Sequence, residues 1–82
     1  MKLYYSKTSL KQLKKLPKEK QIAVLKKIEK LKSNPMSGKK LKGPLKGFMS
    51  LKSWPYRIIY QYFNSEKVMK INVIQHRQNV YK

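Results

Sequence analysis

The chain has 82 residues, 21 Lys+Arg against 3 Asp+Glu, a formal net charge of +18 and a pI near 10.3. That length predicts one domain, residues 1–82, with a modest core that buries roughly 60% of the unfolded surface; 40% hydrophobic residues are too many for a disordered basic tail. Without cysteine there are no disulfides, thiolate metal sites or Cys nucleophiles, and one histidine with three scattered acids (Glu19, Glu29, Glu66) argues against metal clusters and paired-carboxylate chemistry, so no cofactor is expected.

In chain order, Lys2 to Tyr5 reads as a short strand and Ser6 as a helix N-cap. Leu10, Leu13 and Leu16 form one apolar stripe of a first helix, which Pro17 ends. Pro17 also suits the first turn of a second helix, running to about Ser33. Ile22, Leu25, Ile28 and Leu31, with Val24, are its expected buried stripe, opposite a lysine face. Asn34-Pro35 closes it. Met36 to Gly47 holds all three glycines and reads as a basic, flexible connection. Strands are expected over Phe48–Lys52, Tyr56–Phe63 and Val68–Gln75, with a turn at Asn64–Lys67 and with Met69, Ile71 and Val73 on the inner face of the last. The order β-α-α-β-β-β predicts an α+β fold: a small antiparallel sheet of about four strands, with an N-terminal helical hairpin on one face and the other face open to solvent or a ligand.

The charge excess implies a polyanionic partner, nucleic acid first, then an anionic membrane or an acidic protein. The longest apolar run, Ile22 to Leu25, is too short for a transmembrane helix or a signal peptide, so a cytoplasmic protein is expected. Among the cations, nineteen are lysines and two are arginines, Arg57 and Arg77. A guanidinium grips phosphate through two parallel hydrogen bonds where an ammonium cannot. The two arginines are therefore candidate phosphate contacts; the alternative is a structural role covering a sheet edge or pairing with one of the few carboxylates. His76 is either a structural histidine at a strand end or a general base. Tyr81 is an exposed phenol, a proton donor or acceptor, or a stacking ring. Trp54 and Tyr56 are the aromatics best placed to stack on bases, and the lysines supply general attraction to phosphates. Without a metal, cleavage of nucleic acid favours RNA, which brings its own 2′-OH nucleophile. The protein then supplies a base, cations for the charged pentacoordinate phosphate, and an acid for the leaving 5′-oxygen.

Leu41-Lys42-Gly43, Leu51-Lys52, Tyr56-Arg57-Ile58-Ile59-Tyr60 and Val73-Ile74-Gln75-His76-Arg77-Gln78-Asn79-Val80-Tyr81, with Asn34-Pro35 after the helices, resemble the RelE/ParE toxin superfamily over essentially the whole chain. The resemblance implies a curved antiparallel sheet flanked by helices, and a toxin that pairs with an acidic antitoxin as a hetero-oligomer. RelE-like members cut mRNA in the ribosomal A site; ParE-like members inhibit DNA gyrase without RNase activity. The His76-Arg77 to Val80-Tyr81 ending is closer to the RelE side. By this match Arg57 stabilises the scissile phosphate, Arg77 is a second phosphate contact, and Tyr81 orients the substrate, stacks on it or shares proton transfer. RelE-like enzymes often carry lysines on the strand before the Tyr-Arg motif. Here Met49 and Ser50 hold those positions, Lys46 and Lys52 stand nearby with Lys42 as further substrate contacts, and His76 becomes a candidate base. The expected activity is a metal-independent mRNA interferase that inhibits translation. The alternatives are a gyrase inhibitor of the ParE type and a non-catalytic basic RNA-binding relative.

Overall fold

The computed structural model describes residues 1–76; Arg77 and Tyr81 lie outside the described residues. The elements follow in the order β1 (Lys2–Tyr5), α1 (Lys7–Lys15), α2 (Lys18–Ser33), β2 (Lys39–Lys40), a 3-10 turn (Gly43–Leu45), β3 (Met49–Ser53), β4 (Tyr56–Phe63) and β5 (Val68–His76). The α+β class and the element order match the expectation. The sheet is richer than expected, with five strands in the order β1-β5-β4-β3-β2. It is mixed rather than wholly antiparallel, because β1 runs parallel to β5, Lys2 to Tyr5 lying beside Val68 to Ile71.

Serines set the start of α1. Ser6 has extended backbone at the N-cap, and its Oγ accepts the N–H of Ser9 at 3.0 Å. The Ser6 hydroxyl donates to the Asn72 carbonyl at 2.7 Å. Ser9 is fully buried, and its single Oγ–H is shared between the carbonyls of Ser6 (2.9 Å) and Ile71 (3.0 Å). One turn on, Gln12 Oε1 accepts the Ile74 N–H at 2.7 Å. Ser6, Ser9 and Gln12 thus occupy backbone groups of β5 at Ile71, the last residue β1 pairs, and just beyond it at Asn72 and Ile74. An open strand edge is a template for unwanted pairing, and α1 covers it with a polar row at helical spacing. Leu13 and Leu16 pack against the core, whereas Leu10 is exposed, so the expected leucine stripe is only partly buried.

Leu16 and Pro17 separate the helices, and Gln21 Nε2 reaches back to the carbonyls of Leu16 (3.0 Å) and Lys14 (3.2 Å). Pro17 sits at the N-cap, one residue before the expected first-turn position. The buried stripe of α2 is Val24, Ile28 and Leu31; Ile22 and Leu25, expected inside, are exposed. Steps of four and three track a 3.6-residue helix, whereas an unbroken step of three drifts around it. The stripe packs on Met49, Ile58, Tyr60, Met69, Ile71 and Ile74 of the sheet.

The β4–β5 ladder has one irregularity. Ile59 pairs with Val73 but Tyr60 pairs with Ile71, so Asn72 has no opposite residue. The extra residue switches the phase of β5. Met69 and Ile71 face the core, then Ile74 does, and Val73 moves to the outer face beside Ile59. The outer face carries Lys39, Ser50, Lys52, Arg57, Gln61, Lys70 and Gln75, as the register requires. Among the described residues no helix is long and apolar enough to cross a membrane.

Candidate functional site

β3 and β4 are joined at Trp54-Pro55, whose peptide bond is cis. Trp54 is 65% exposed, so the hairpin tip presents its ring to solvent. One residue into each strand, Lys52 stands directly opposite Arg57, which in turn stands opposite Gln75 of β5. Residues opposite each other in an antiparallel pair share a face, so the half-buried Arg57 and exposed Lys52 form adjacent cations on the outer face.

The segment after α2 brings further charge. Tyr60, central in β4 and fully buried, donates its hydroxyl to the Pro35 carbonyl at 2.8 Å and accepts the Gly38 N–H at 3.0 Å. That clasp holds the start of β2, whose Lys39 and Lys40 then pair with Ser50 and Met49. Much of the expected flexible connection is therefore ordered: it contains a strand and a 3-10 turn. Lys39, Lys40, Leu41, Lys42 and Arg57 line a cleft of about 410 Å³ with four cations and no carboxylate. Such walls concentrate positive potential and favour a polyanion. A second cleft of about 500 Å³ shares Lys40, Leu41 and Lys42 with the first. Met36, Leu41, Phe48 and Met49 give it apolar walls, and Lys46 stands at its rim.

The expected site residues separate into groups. Arg57 and Lys42 share the cationic cleft, Lys52 stands beside Arg57 on the sheet, and Lys46 belongs to the neighbouring apolar cleft. Tyr56 and His76 are brought together, but on the opposite face. They are cross-strand partners, with ring centroids 5.5 Å apart and planes at 88°. Edge-to-face contact of this kind contributes packing energy. Tyr56 also packs against the core cluster, so its ring is not a free stacking platform on the face of Arg57. The sequence reading did not single out Lys39 and Lys40. The run Lys39-Lys40-Leu41-Lys42 is visible, but its proximity to Arg57 depends on a strand pairing that local pattern does not encode.

Two phenols are perturbed, the fully buried Tyr60 and the half-buried Tyr5. Burial pushes Tyr60 above its ordinary value, and the Gly38 N–H opposes part of that rise. Tyr5 is raised by burial and, second, by the Glu29 carboxylate. Glu29 itself pairs with Lys32 at 3.3 Å on an exposed flank of α2. Among the described residues no three His, Asp or Glu side chains gather as a metal-ligand set.

The sequence model of the ParE toxin of type II toxin–antitoxin systems (parDE) matches residues 3–81. The chain belongs to this family. A chain of the RelBE2 toxin–antitoxin complex from Mycobacterium tuberculosis is 27% identical, covers 93% of this chain and 96% of its own, and superposes with a TM-score of 0.84. The archaeal RelE–RelB complex from Pyrococcus horikoshii is similar at 25% identity, 96% and 97% coverage and a TM-score of 0.81. The YoeB/ParE toxin from Agrobacterium tumefaciens shares the fold at 19% identity, 93% and 98% coverage and a TM-score of 0.82. Comparison with curated protein sequences gives no match. The protein is thus a toxin of a type II toxin–antitoxin system with the RelE/YoeB/ParE fold.

Proposed function

We propose that this toxin is a metal-independent endoribonuclease that cuts mRNA on the ribosome and so stops translation. The observation that carries the reading is the cross-strand pair Lys52–Arg57 on the outer sheet face, with Arg57 also lining a cleft that holds four cations. Attack of an RNA 2′-oxygen on the adjacent phosphorus places extra negative charge on the phosphoryl oxygens. Fixed cations aimed at that charge lower the barrier in proportion to how well they are preorganised. Arg57 grips two oxygens through its planar fork, and Lys52 adds charge alongside. Lys39, Lys40 and Lys42 hold the neighbouring backbone. Arg77 is the second phosphate contact and Tyr81 the group that orients substrate or shares proton transfer, roles the family resemblance assigns. His76 faces away from Arg57 and takes no proton in this scheme. The scheme needs a base for the 2′-OH and an acid for the 5′-oxygen, and no metal: the three carboxylates sit apart, in the first turn of α2, further along α2 and in the β4–β5 turn. The partner that silences the toxin is an acidic antitoxin segment that folds over the outer face and covers Arg57, in a cytoplasmic hetero-oligomer.

A translation assay with toeprinting tests the reading. Wild-type toxin produces cleavage products on ribosome-bound mRNA, and the Arg57→Ala, Arg77→Ala double variant produces none. Undiminished cleavage by the double variant removes these residues from the site. The ParE family match supports a second reading, inhibition of DNA gyrase without cleavage. A supercoiling assay separates the two: stalled gyrase with untouched translation selects the second.

A further inference from the structure

The outer face contains one polar group whose position calls for a ligand. Ser50 is 5% exposed, and among the described residues its Oγ is the buried side-chain polar atom with no hydrogen-bond partner. The contrast with Ser9 is direct, since that buried hydroxyl has two carbonyls within reach of its proton. A buried hydroxyl without a partner costs folding stability, and such groups are rare in native interiors. Ser50 pairs with Lys39 on one side and Ile59 on the other. Lys52 follows it on the same face of β3, and Arg57 lies diagonally across on β4. Three long cationic side chains therefore surround a short, unsatisfied donor set deeper than they are.

We propose that Ser50, Lys39, Lys52 and Arg57 form an oxyanion subsite for an RNA phosphodiester, with Ser50 Oγ as its floor. The inference rests on the RNA reading of the toxin and adds a residue that reading does not use. A phosphoryl group offers several peripheral oxygens to donors converging from different sides. Arg57 and the lysines meet the outward oxygens, and the Ser50 hydroxyl donates to the non-bridging oxygen pointing into the sheet. Access to the hydroxyl requires the neighbouring side chains to shift as the anion arrives, which is part of the proposal. The hydroxyl gains its missing partner only when the anion is present, so its contribution to binding is not offset by a bond lost in the free protein.

The test compares wild type, Ser50→Ala and Ser50→Thr, with a fluorescein-labelled 2′-O-methyl RNA hexanucleotide as the probe. Blocking the 2′-oxygen keeps binding separate from cleavage. Ser50→Ala is expected to unfold at a higher temperature than wild type, because it removes an unsatisfied buried group, yet to bind the probe roughly tenfold more weakly. Ser50→Thr, which keeps the hydroxyl on a residue suited to a strand, is expected to bind within about threefold of wild type. Equal binding by wild type and Ser50→Ala overturns the subsite while leaving the RNA reading intact. Weaker binding together with a lower unfolding temperature also overturns it, since the hydroxyl is then structural. If wild type fails to bind the probe at low salt, the RNA reading falls and the subsite with it. If the acidic antitoxin segment, and not the RNA, discriminates Ser50→Ala from wild type, the subsite belongs to a carboxylate and the proposal is wrong.

Discussion

The Tyr60 hydroxyl, at the centre of the sheet, accepts the Gly38 backbone N–H at 3.0 Å, in the segment between α2 and β2. Gly38 has no side chain where Tyr60 lies: a Cβ there would stand 2.8 Å from Tyr60 Cε1 and nearer still to the hydroxyl. Because the Tyr60 ring is fully buried, it has little room to retreat. Gly38→Ala should cost about 2 kcal/mol through overpacking, and Tyr60→Phe about 1–3 kcal/mol by orphaning the Gly38 N–H and the Pro35 carbonyl. For a domain of this size each kcal/mol lowers the melting temperature by roughly 4–8 °C. Thermal unfolding followed by circular dichroism reads both, and an unchanged melting point for Gly38→Ala would contradict the clasp.

The same phenol makes stability pH-dependent. In the unfolded chain a tyrosine ionises near pH 10, whereas burial lets folded Tyr60 keep its proton to higher pH. Its contribution is complete below about pH 10 and is lost as the pH rises from there through the folded value. Tyr5, also raised, acts in the same direction. The urea midpoint of wild type should therefore fall more steeply above about pH 10 than that of Tyr60→Phe, the comparison cancelling contributions common to both. Parallel alkaline limbs in the two proteins would show that Tyr60 is not the group responsible.

If Arg57 stabilises the phosphorane, Arg57→Ala should lower the cleavage rate by about two to three orders of magnitude. Arg57→Lys should recover little of it, because an ammonium lacks the planar fork. His76→Ala should stay within about threefold of wild type, since His76 packs on Tyr56 across the sheet from Arg57. Single-turnover cleavage of ribosome-bound mRNA measures all three. A loss in His76→Ala as deep as in Arg57→Ala would return proton transfer to the histidine.

Lysines in the cleft should differ from lysines elsewhere in how salt affects binding. Replacing Lys39, Lys40 and Lys42 together by Gln should flatten the plot of log affinity for single-stranded RNA against log salt by roughly 0.7 per lost phosphate contact. The same change at Lys18, Lys26 and Lys27 on α2 should leave the slope nearly untouched. Fluorescence anisotropy across a salt series distinguishes the two sets, and equal slopes would mean that the cleft is not the electrostatic footprint.

Local pattern made several elements readable. The bounds of β1 and β4 follow from composition and alternation, and the Ser6 cap from its position before the helix. The parallel pairing of β1 with β5 was not readable, because it joins segments 66 residues apart through backbone alone. Neither was Ser9, a polar residue buried because β5 needs its hydroxyl. The unpaired Asn72 explains Val73, since one extra residue reverses every inside–outside assignment after it. In the candidate site, Arg57 stood out as one of two arginines among nineteen lysines. Ser50 was visible only as a residue standing where a lysine is expected, because its place beside Lys39 lies in the register of β2 with β3. His76, next to Arg77 in sequence, pairs with Tyr56 on the face away from Arg57, a separation that neighbouring sequence positions conceal.

The place of β1 also has a consequence for synthesis. Among the described residues the first strand lies against the last, Lys2 to Tyr5 along Val68 to Ile71. The serines that start α1 take their acceptors from Ile71 and Asn72 as well. A nascent chain that has delivered only β1, α1 and α2 therefore holds a strand with nothing to pair with and a helix start without its anchors. Long-range pairings of this kind form late and add to the contact order of a fold. Completion of the sheet waits for β5, which also supplies Met69, Ile71 and Ile74 to the core. The working shape is thus withheld from a molecule that has not yet received β5, and a poison assembled in the cell that encodes it becomes one only once that strand is delivered.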